Sequence, residues 1–309
     1  MRITVLAGGV GAARFLDGLV RVVPAGEITV VGNVADDLEL LGLRVSPDLD
    51  TVLYTLAGIV HPEQGWGRAD ETRNALAVVS ELGGEDWFLL GDRDLGLHLV
   101  RTQRLRAGEP LSAVTADICR RLGVGVRLLP ATDDRLTTMV DTERGEVDFQ
   151  TYFVRWRHDV DVHALRVEGA AAARPAPGVV EAIEQADVLV VAPSNPYLSV
   201  DPILAVPGVR EAVLARSGPS VAVSPIVGGR AIKGPADRLM RTFAGEVSAV
   251  AVARHYAPWL THLLVDAVDR ELLPQLVALG VRAAAADTIM RDASARARVA
   301  RAALELAAG

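Results

Sequence analysis

The stretch RITVLAGGVGAARFLDGLVRVVPAGEITVVGNV, residues 2–34, decides the fold. Residues 2–6 are a β-rich apolar run, the glycines of AGGVGAAR interrupt it, and FLDGLVRVV has the spacing of a helix. EITVVGNV at 27–34 then reads as a second strand. Strand, glycine loop, helix and strand make a β-α-β unit, whose strands run parallel with helices covering the faces. Continuous apolar runs recur at DVLVVAP (187–193) and PSVAVSP (219–225), each closing on Pro or Ser, and SAVAVARHY (248–256) reads as another strand. The fold class is therefore α/β with a mostly parallel sheet and flanking helices. In such sheets ligands bind beyond the carboxyl ends of the strands, so the loops after these runs carry the candidate site.

Between residues 61 and 128 the strand pattern stops. RADETRNALAVVSELG, DRDLGLHLVRTQRLRAG and PLSAVTADICRRLGV read as three helices, a small inserted helical domain (61–128) over the active edge of a core formed by residues 1–60 and 129–309. Residues 125–169 return to β character (VRLLP, TTMVD, VDFQTYFVRW) with antiparallel pairing expected. AAAARPAPG at 170–178 reads as a surface link and the tail from 290 as a helix.

Composition narrows the function. Half of the 309 residues are apolar, enough for a sizeable core, but only 4% are aromatic, and the net charge of −7 is scattered without a basic stripe. Nucleic acid is therefore not an expected partner. Cys119 is the single cysteine, which excludes an internal disulfide and a multi-cysteine zinc site. The six histidines show no H-E-x-x-H spacing, and G-x-S-x-G is absent. The first strand begins within eight residues of Met1 and no uncharged apolar run reaches about 18 residues, so a cytoplasmic protein with no membrane contact is expected.

Five loops carry chemistry. In AGGVGAARF, Gly8, Gly9 and Gly11 let backbone amides approach an oxyanion at the start of a helix, and Arg14 adds a guanidinium; a tight turn would use the same glycines. The full G-x-G-x-x-G and the G-K-[ST] of a P-loop are both missing, so no dinucleotide is specified. In GNVADD (32–37), Asn33 precedes the adjacent acids Asp36 and Asp37, which repel unless a cation or donors answer them; a solvated turn is the alternative. In VSPDLDT, Pro47 suits the first turn of a helix and Ser46 or Asp48 serves as cap, which leaves Asp50 as a second acid that either only answers the helix's positive end or has a functional role. Finally, Ser194 and Asn195 in APSNPYLSVDPI and Ser224 in SPIVGGRAIKGPA offer hydrogen bonds at strand ends, with Lys233 in the second loop placed to close over phosphates.

Seven blocks in order, AGGVGAARFLDGL, VSPDLDTVLYTLAG, LGDRDLGLHLVRT, LLPATDD, APSNPYLSVDPIL, SPIVGGRAIKGPADRLM and AADTIM, resemble the 2-phospho-L-lactate transferase family of coenzyme F-420 biosynthesis, including its actinobacterial phosphoenolpyruvate-type relatives. The resemblance implies a Rossmann-like core, magnesium and a homodimer. It also implies a reaction: the primary hydroxyl of the deazaflavin riboside Fo attacks a guanosine-diphosphate-linked three-carbon acid, 2-phospholactate or phosphoenolpyruvate in type, and GMP leaves. On that basis Asp50, supported by Asp36 or Asp37, holds magnesium and orients or deprotonates the Fo hydroxyl. Gly8, Gly9, Gly11, Arg14, Asn33, Ser194, Asn195 and Ser224 face the nucleotide and its phosphates; Asp50, Thr51, Trp66, Arg93 and Asp94 face the deazaflavin, and Asp48 is the cap. The competing reading is a non-catalytic nucleotide-sugar-binding regulatory protein of the same superfamily.

Overall fold

The computed structural model describes all 309 residues. Seven strands join in one all-parallel sheet: β1 (Ile3–Ala7), β2 (Ile28–Gly32), β3 (Arg127–Pro130), β4 (Val188–Val191), β5 (Ser220–Val223), β6 (His262–Asp266) and β7 (Arg282–Ala286). Their order is β7-β6-β5-β4-β1-β2-β3. The chain builds outward from β1 through β2 to β3, then returns to the other side of β1 with β4 and builds outward again. Ile3 of β1 aligns with Ile28 on one side and Val188 on the other. The direction of winding thus reverses between β1 and β4, and a crevice opens at their carboxyl ends. All residues of β1, β4, β5 and β6 are buried, as continuous apolar strands covered on both faces should be.

Helix α1 (Gly9–Leu19) packs between α2 (Pro47–Leu56) and the C-terminal helix Ala293–Ala308. The crossing with the C-terminal helix is close: a Cβ on Gly18 would lie 2.2 Å from the Arg296 carbonyl oxygen. Residues 61–128 form α3 (Asn74–Glu81), α4 (Asp92–Arg106) and α5 (Leu111–Arg121). Acids fix where two of these begin. Asp92 accepts the amides of Asn74 and Ala75 at the start of α3, and Glu71 accepts those of Arg93 and Asp94 at the start of α4. Helix α5 sends Leu111, Val114, Ile118 and Cys119 into the main core, whereas α3 buries Leu76 alone.

Several expectations are corrected. SAVAVARHY is not a strand but a helix, Ala249–Tyr256. An apolar run buried on all sides suits either element, and the Ser248 hydroxyl decides by accepting the Ala251 amide at 3.0 Å as an N-cap. VRLLP does not pair antiparallel; as β3 it runs parallel to β2, Thr29 opposite Arg127. Of residues 125–169, only Thr137–Thr142, Gly145–Asp148 and Val162–Glu168 form an antiparallel sheet. FQTYFVRW leaves that sheet because Asp148 caps it, taking the amide and hydroxyl of Thr151 at 3.0 and 2.6 Å and starting a wide helical turn over Thr151–Arg155. The alanine stretch at 170–178 is not a surface link: Ala170, Ala173 and Ala176 enter the main core, small enough to bring the chain against the sheet.

Candidate active site

The loops at the carboxyl ends of the sheet enclose one large cavity of about 650 Å³. Gly8 and Gly9 reach it from β1, Asp36 from β2, Asn195 from β4, Ser224 from β5 and Thr288 from β7. The floor is welded across the crevice. The Ser194 hydroxyl donates to the Gly8 carbonyl at 2.9 Å and accepts the Gly8 amide at 3.3 Å. Gly11 lies over the Pro193 carbonyl so closely that a Cβ would sit 2.1 Å from its oxygen. Gly9 has φ of +74°, the left-handed region glycine enters without penalty. The loop therefore holds its amides at the opening of α1, with the positive end of the helix behind them.

Helix α2 begins at Pro47, so Asp48 and Asp50 both lie in its first turn. Neither Ser46 nor Asp48 caps it. Ser46 instead donates to Asp37 Oδ2 at 2.7 Å, and Asp48 turns toward the glycine loop. Asp48 Oδ2 accepts from Asn33 Nδ2 at 3.0 Å, and the Gly9 amide also donates to this carboxylate. Asn33 bonds the Leu198 carbonyl and the Ala35 amide as well, so this buried amide ties three segments together from beneath the cavity rather than lining it. The assignment of Asp48 as a cap is thus corrected: it holds the glycine loop.

Asp36 lines the cavity; Asp37 does not. Each leaves a buried Oδ1 without a hydrogen-bond partner. Burial, then repulsion from Asp48, pushes the Asp36 carboxyl well above its ordinary range, and burial pushes Asp48 up to about 6. Burial also raises Asp37 to about 7, against the pull of Arg44, whose guanidinium is 3.5 Å away. No cluster of three or more His, Cys, Asp or Glu side chains is spaced to hold a metal ion. Asp36 and Asp48, two carboxylates that repel beside the glycine loop, still fit magnesium, which takes one or two protein carboxylates and completes its shell with substrate phosphates and water.

Asp50 occupies a different setting. It is buried, lines the cavity, and is gripped by both Nη atoms of Arg101 on α4, the Nη1 bond at 2.9 Å. Arg101 is 2% exposed, and although burial opposes its charge, the Asp50 carboxylate raises its pKa. Arg101 Nη1 also approaches His98 Nδ1 at 3.4 Å, where burial drives the imidazole down to about 4, so the ring is neutral and accepts. One turn along α2, the Tyr54 hydroxyl donates to Asp94 at 2.5 Å; burial lifts both groups, Asp94 to about 6. Two helices thus meet through polar stripes, Asp50 and Tyr54 on α2 against Asp94, His98 and Arg101 on α4.

Among the residues singled out from sequence, Gly8, Gly9, Gly11, Arg14, Asp36, Asp50, Thr51, Trp66, Asp94, Ser194, Asn195 and Ser224 share the cavity. Asn33 and Asp37 lie behind it, and Arg93 is exposed outside it. Sequence reasoning missed Asp48 as a lining residue, Tyr54, His98 and Arg101. It also missed the aromatic wall formed by Trp87, Phe88, Phe149 and Phe153 beside Trp66. Trp87 meets Phe88 edge to face at 5.8 Å and Phe149 stacks on Phe153 at 5.2 Å. The polar stripe was readable, since 94, 98 and 101 are spaced i, i+4, i+7, while the aromatics come from separate segments with no shared period.

Comparison with known proteins places this architecture. The sequence profile described as 2-phospho-L-lactate transferase CofD matches residues 3–303. A phosphoenolpyruvate transferase of Streptomyces griseus is 51% identical over 313 residues, covering 99% of this chain and 98% of the relative. Proteins of the same name from Thermobifida fusca and Mycolicibacterium smegmatis are 47% and 43% identical, each over 99% of this chain and at least 98% of the relative. In fold, the chain is similar to crystal structures of a UPF0052-family protein from Bacillus halodurans, with TM-scores of 0.67 and 0.68 at 20% and 21% identity, over 98% of this chain. Glycine cradle, strand order and a family match along nearly the whole length agree, and the chain belongs to the 2-phospho-L-lactate transferase (CofD) family of coenzyme F-420 biosynthesis.

Proposed function

We propose that this protein transfers a phospho-three-carbon-acid group from a guanosine-diphosphate-linked donor to the primary hydroxyl of the deazaflavin riboside Fo. One observation carries the reading: a single cavity joins a glycine-and-carboxylate end to an aromatic wall, with Asp50 on its surface. The hydroxyl oxygen attacks the phosphorus that bears the acid, the bond to the second phosphate breaks, and GMP leaves with its electron pair. In-line transfer of this kind asks for alignment and charge neutralisation more than covalent work from the protein.

The unpaired amides of the first turn of α1 at Gly11, which the Gly8–Gly9 turn holds open, face the donor's diphosphate, and Asn195 and Ser224 take the guanosine half over β4 and β5. Asp36 and Asp48 hold magnesium, which neutralises diphosphate charge when bound. Asp50, fixed by Arg101, accepts a hydrogen bond from the Fo hydroxyl and takes its proton as the new P–O bond forms. Trp66 and the aromatic wall stack on the deazaflavin ring. The relatives named phosphoenolpyruvate transferase favour an enolpyruvyl donor over a lactyl one. We further propose a homodimer working in the cytoplasm; no helix is long and apolar enough to cross a membrane.

The test is to incubate the protein with Fo, magnesium and either the lactyl or the enolpyruvyl ester of GDP, and to weigh the products. A phosphodiester adduct and one equivalent of GMP are expected. Binding of the guanylated donors without any adduct would overturn the reaction and leave the non-catalytic reading. Asp50→Asn should lower kcat by about a hundredfold or more, and unchanged turnover would remove Asp50 from the chemistry.

A further inference from the structure

Two cations on one corner of the cavity have no carboxylate to answer them. Arg14, in the second turn of α1, has its Nε buried without a hydrogen-bond partner. Burial lowers its pKa, and the charge it feels is another cation, Arg296, which already pairs with Asp17 at 2.9 Å. Lys233, in the loop after β5, donates from Nζ to the Gln64 carbonyl at 3.0 Å and to no acid. Burial and then Arg14 lower the pKa of this ammonium too. The next residue, Gly65, has φ of +73° and packs on the guanidinium: a Cβ there would lie 3.3 Å from Arg14 Nη2. Arg14 and Lys233 both line the cavity.

This is not a shortage of acids, since the chain has 39 against 32 lysines and arginines. Elsewhere its cations find them: Arg104 holds both Glu109 and Asp117, and Arg291 and Arg298 share Asp287. Two cations that line one cavity without a carboxylate, one with a buried donor left unused, make a site for an anion that the protein does not itself supply. If the proposed donor is right, its diphosphate already has the glycine amides and the Asp36–Asp48 metal position. One anionic group on it remains, the carboxylate of the three-carbon acid.

We infer that Arg14 and Lys233 form the subsite for that carboxylate, the guanidinium taking its two oxygens and the ammonium adding a point charge. The inference rests on the guanylated-donor reading and deepens it. It makes the requirement for an acid, rather than for a particular three-carbon skeleton, a property of this corner. An uncharged ester would leave the buried Arg14 Nε without a partner, and a site built for a polar group discriminates strongly against a ligand that lacks it.

The probes are the lactyl ester of GDP and the isopropyl ester of GDP, in which a methyl stands where the lactyl group has its carboxylate. Both are titrated calorimetrically into the full-length protein with magnesium and without Fo. Wild type should bind the lactyl ester about ten- to a hundredfold more tightly. In Lys233→Met and in Arg14→Met the preference should fall below about threefold while the affinity for the isopropyl ester holds within about twofold. Lys233 is an exposed loop residue, so its variant folds and decides the matter even if Arg14→Met does not. Equal weakening of both ligands would assign the cations to the diphosphate and overturn the inference, as would an unchanged preference. Failure of wild type to bind either ester would overturn the guanylated-donor reading instead, and this subsite with it.

Discussion

Asp50 and Arg101 stand 51 positions apart and form a buried two-point ion pair, so neither residue can be judged by its own surroundings. The sequence marks Asp50 as an acid in excess of capping needs but says nothing of its partner, because nothing in local spacing shows that α4 lies against α2. Asp48 was misread for a similar reason: position N2 of a helix suggests a cap, while the groups that claim its oxygens, Asn33 and Gly9, come from the ends of β2 and β1. The ion pair gives a prediction. Arg101→Leu should destabilise the protein by about 3–5 kcal/mol, read from urea unfolding, since it strands a buried carboxylate. The double variant Asp50→Asn/Arg101→Leu should recover a large part of that loss, and an additive result would show the pair to be uncoupled.

At the level of elements, strands buried on both faces were legible as unbroken apolar runs, and β1, β2, β4 and β5 lie where those runs do. The same signal failed at 248–256, where the unbroken alanine and valine of 249–253 suit a buried helix equally, and where the deciding bond is a single serine cap. Helix packing was the least visible. Nothing local marks Gly18 as a contact, yet α1 meets the C-terminal helix there with backbone against backbone. Gly18→Ala should therefore act against helix propensity, which favours alanine by about 1 kcal/mol. The methyl must displace the Arg296 carbonyl, and we expect a net loss of about 1–3 kcal/mol in chemical denaturation. A stabilised variant would mean that the two helices are free to part.

Taken over the whole molecule, the cavity stores electrostatic tension. Asp36, Asp37, Asp48 and Asp94 all have folded pKa values above the 3.8 of an ordinary aspartate, chiefly from burial, with Asp48 and Asp94 near 6 and Asp37 near 7. A carboxyl raised on folding favours the protonated state. Its stabilising contribution is complete below pH 4 and is lost as the pH rises through about 6 to 7. The metal-free protein should accordingly melt at a lower temperature at pH 8 than at pH 5.5, by roughly 2 kcal/mol or more in stability. Magnesium should restore part of the difference, and Asp36→Asn should flatten the profile while lowering transferase activity. A melting temperature that rises with pH in this range would contradict the assignment.

The weld between Gly8 and Ser194 joins residues 186 positions apart. Contacts of such long sequence separation close late in folding, after loop entropy has been overcome. On the ribosome, the glycine loop is made well before Ser194 and has no floor until β4 has followed it. A nascent chain halted before β4 carries the glycine loop without its floor. The crevice at the carboxyl ends of β1 and β4 is therefore completed late in synthesis.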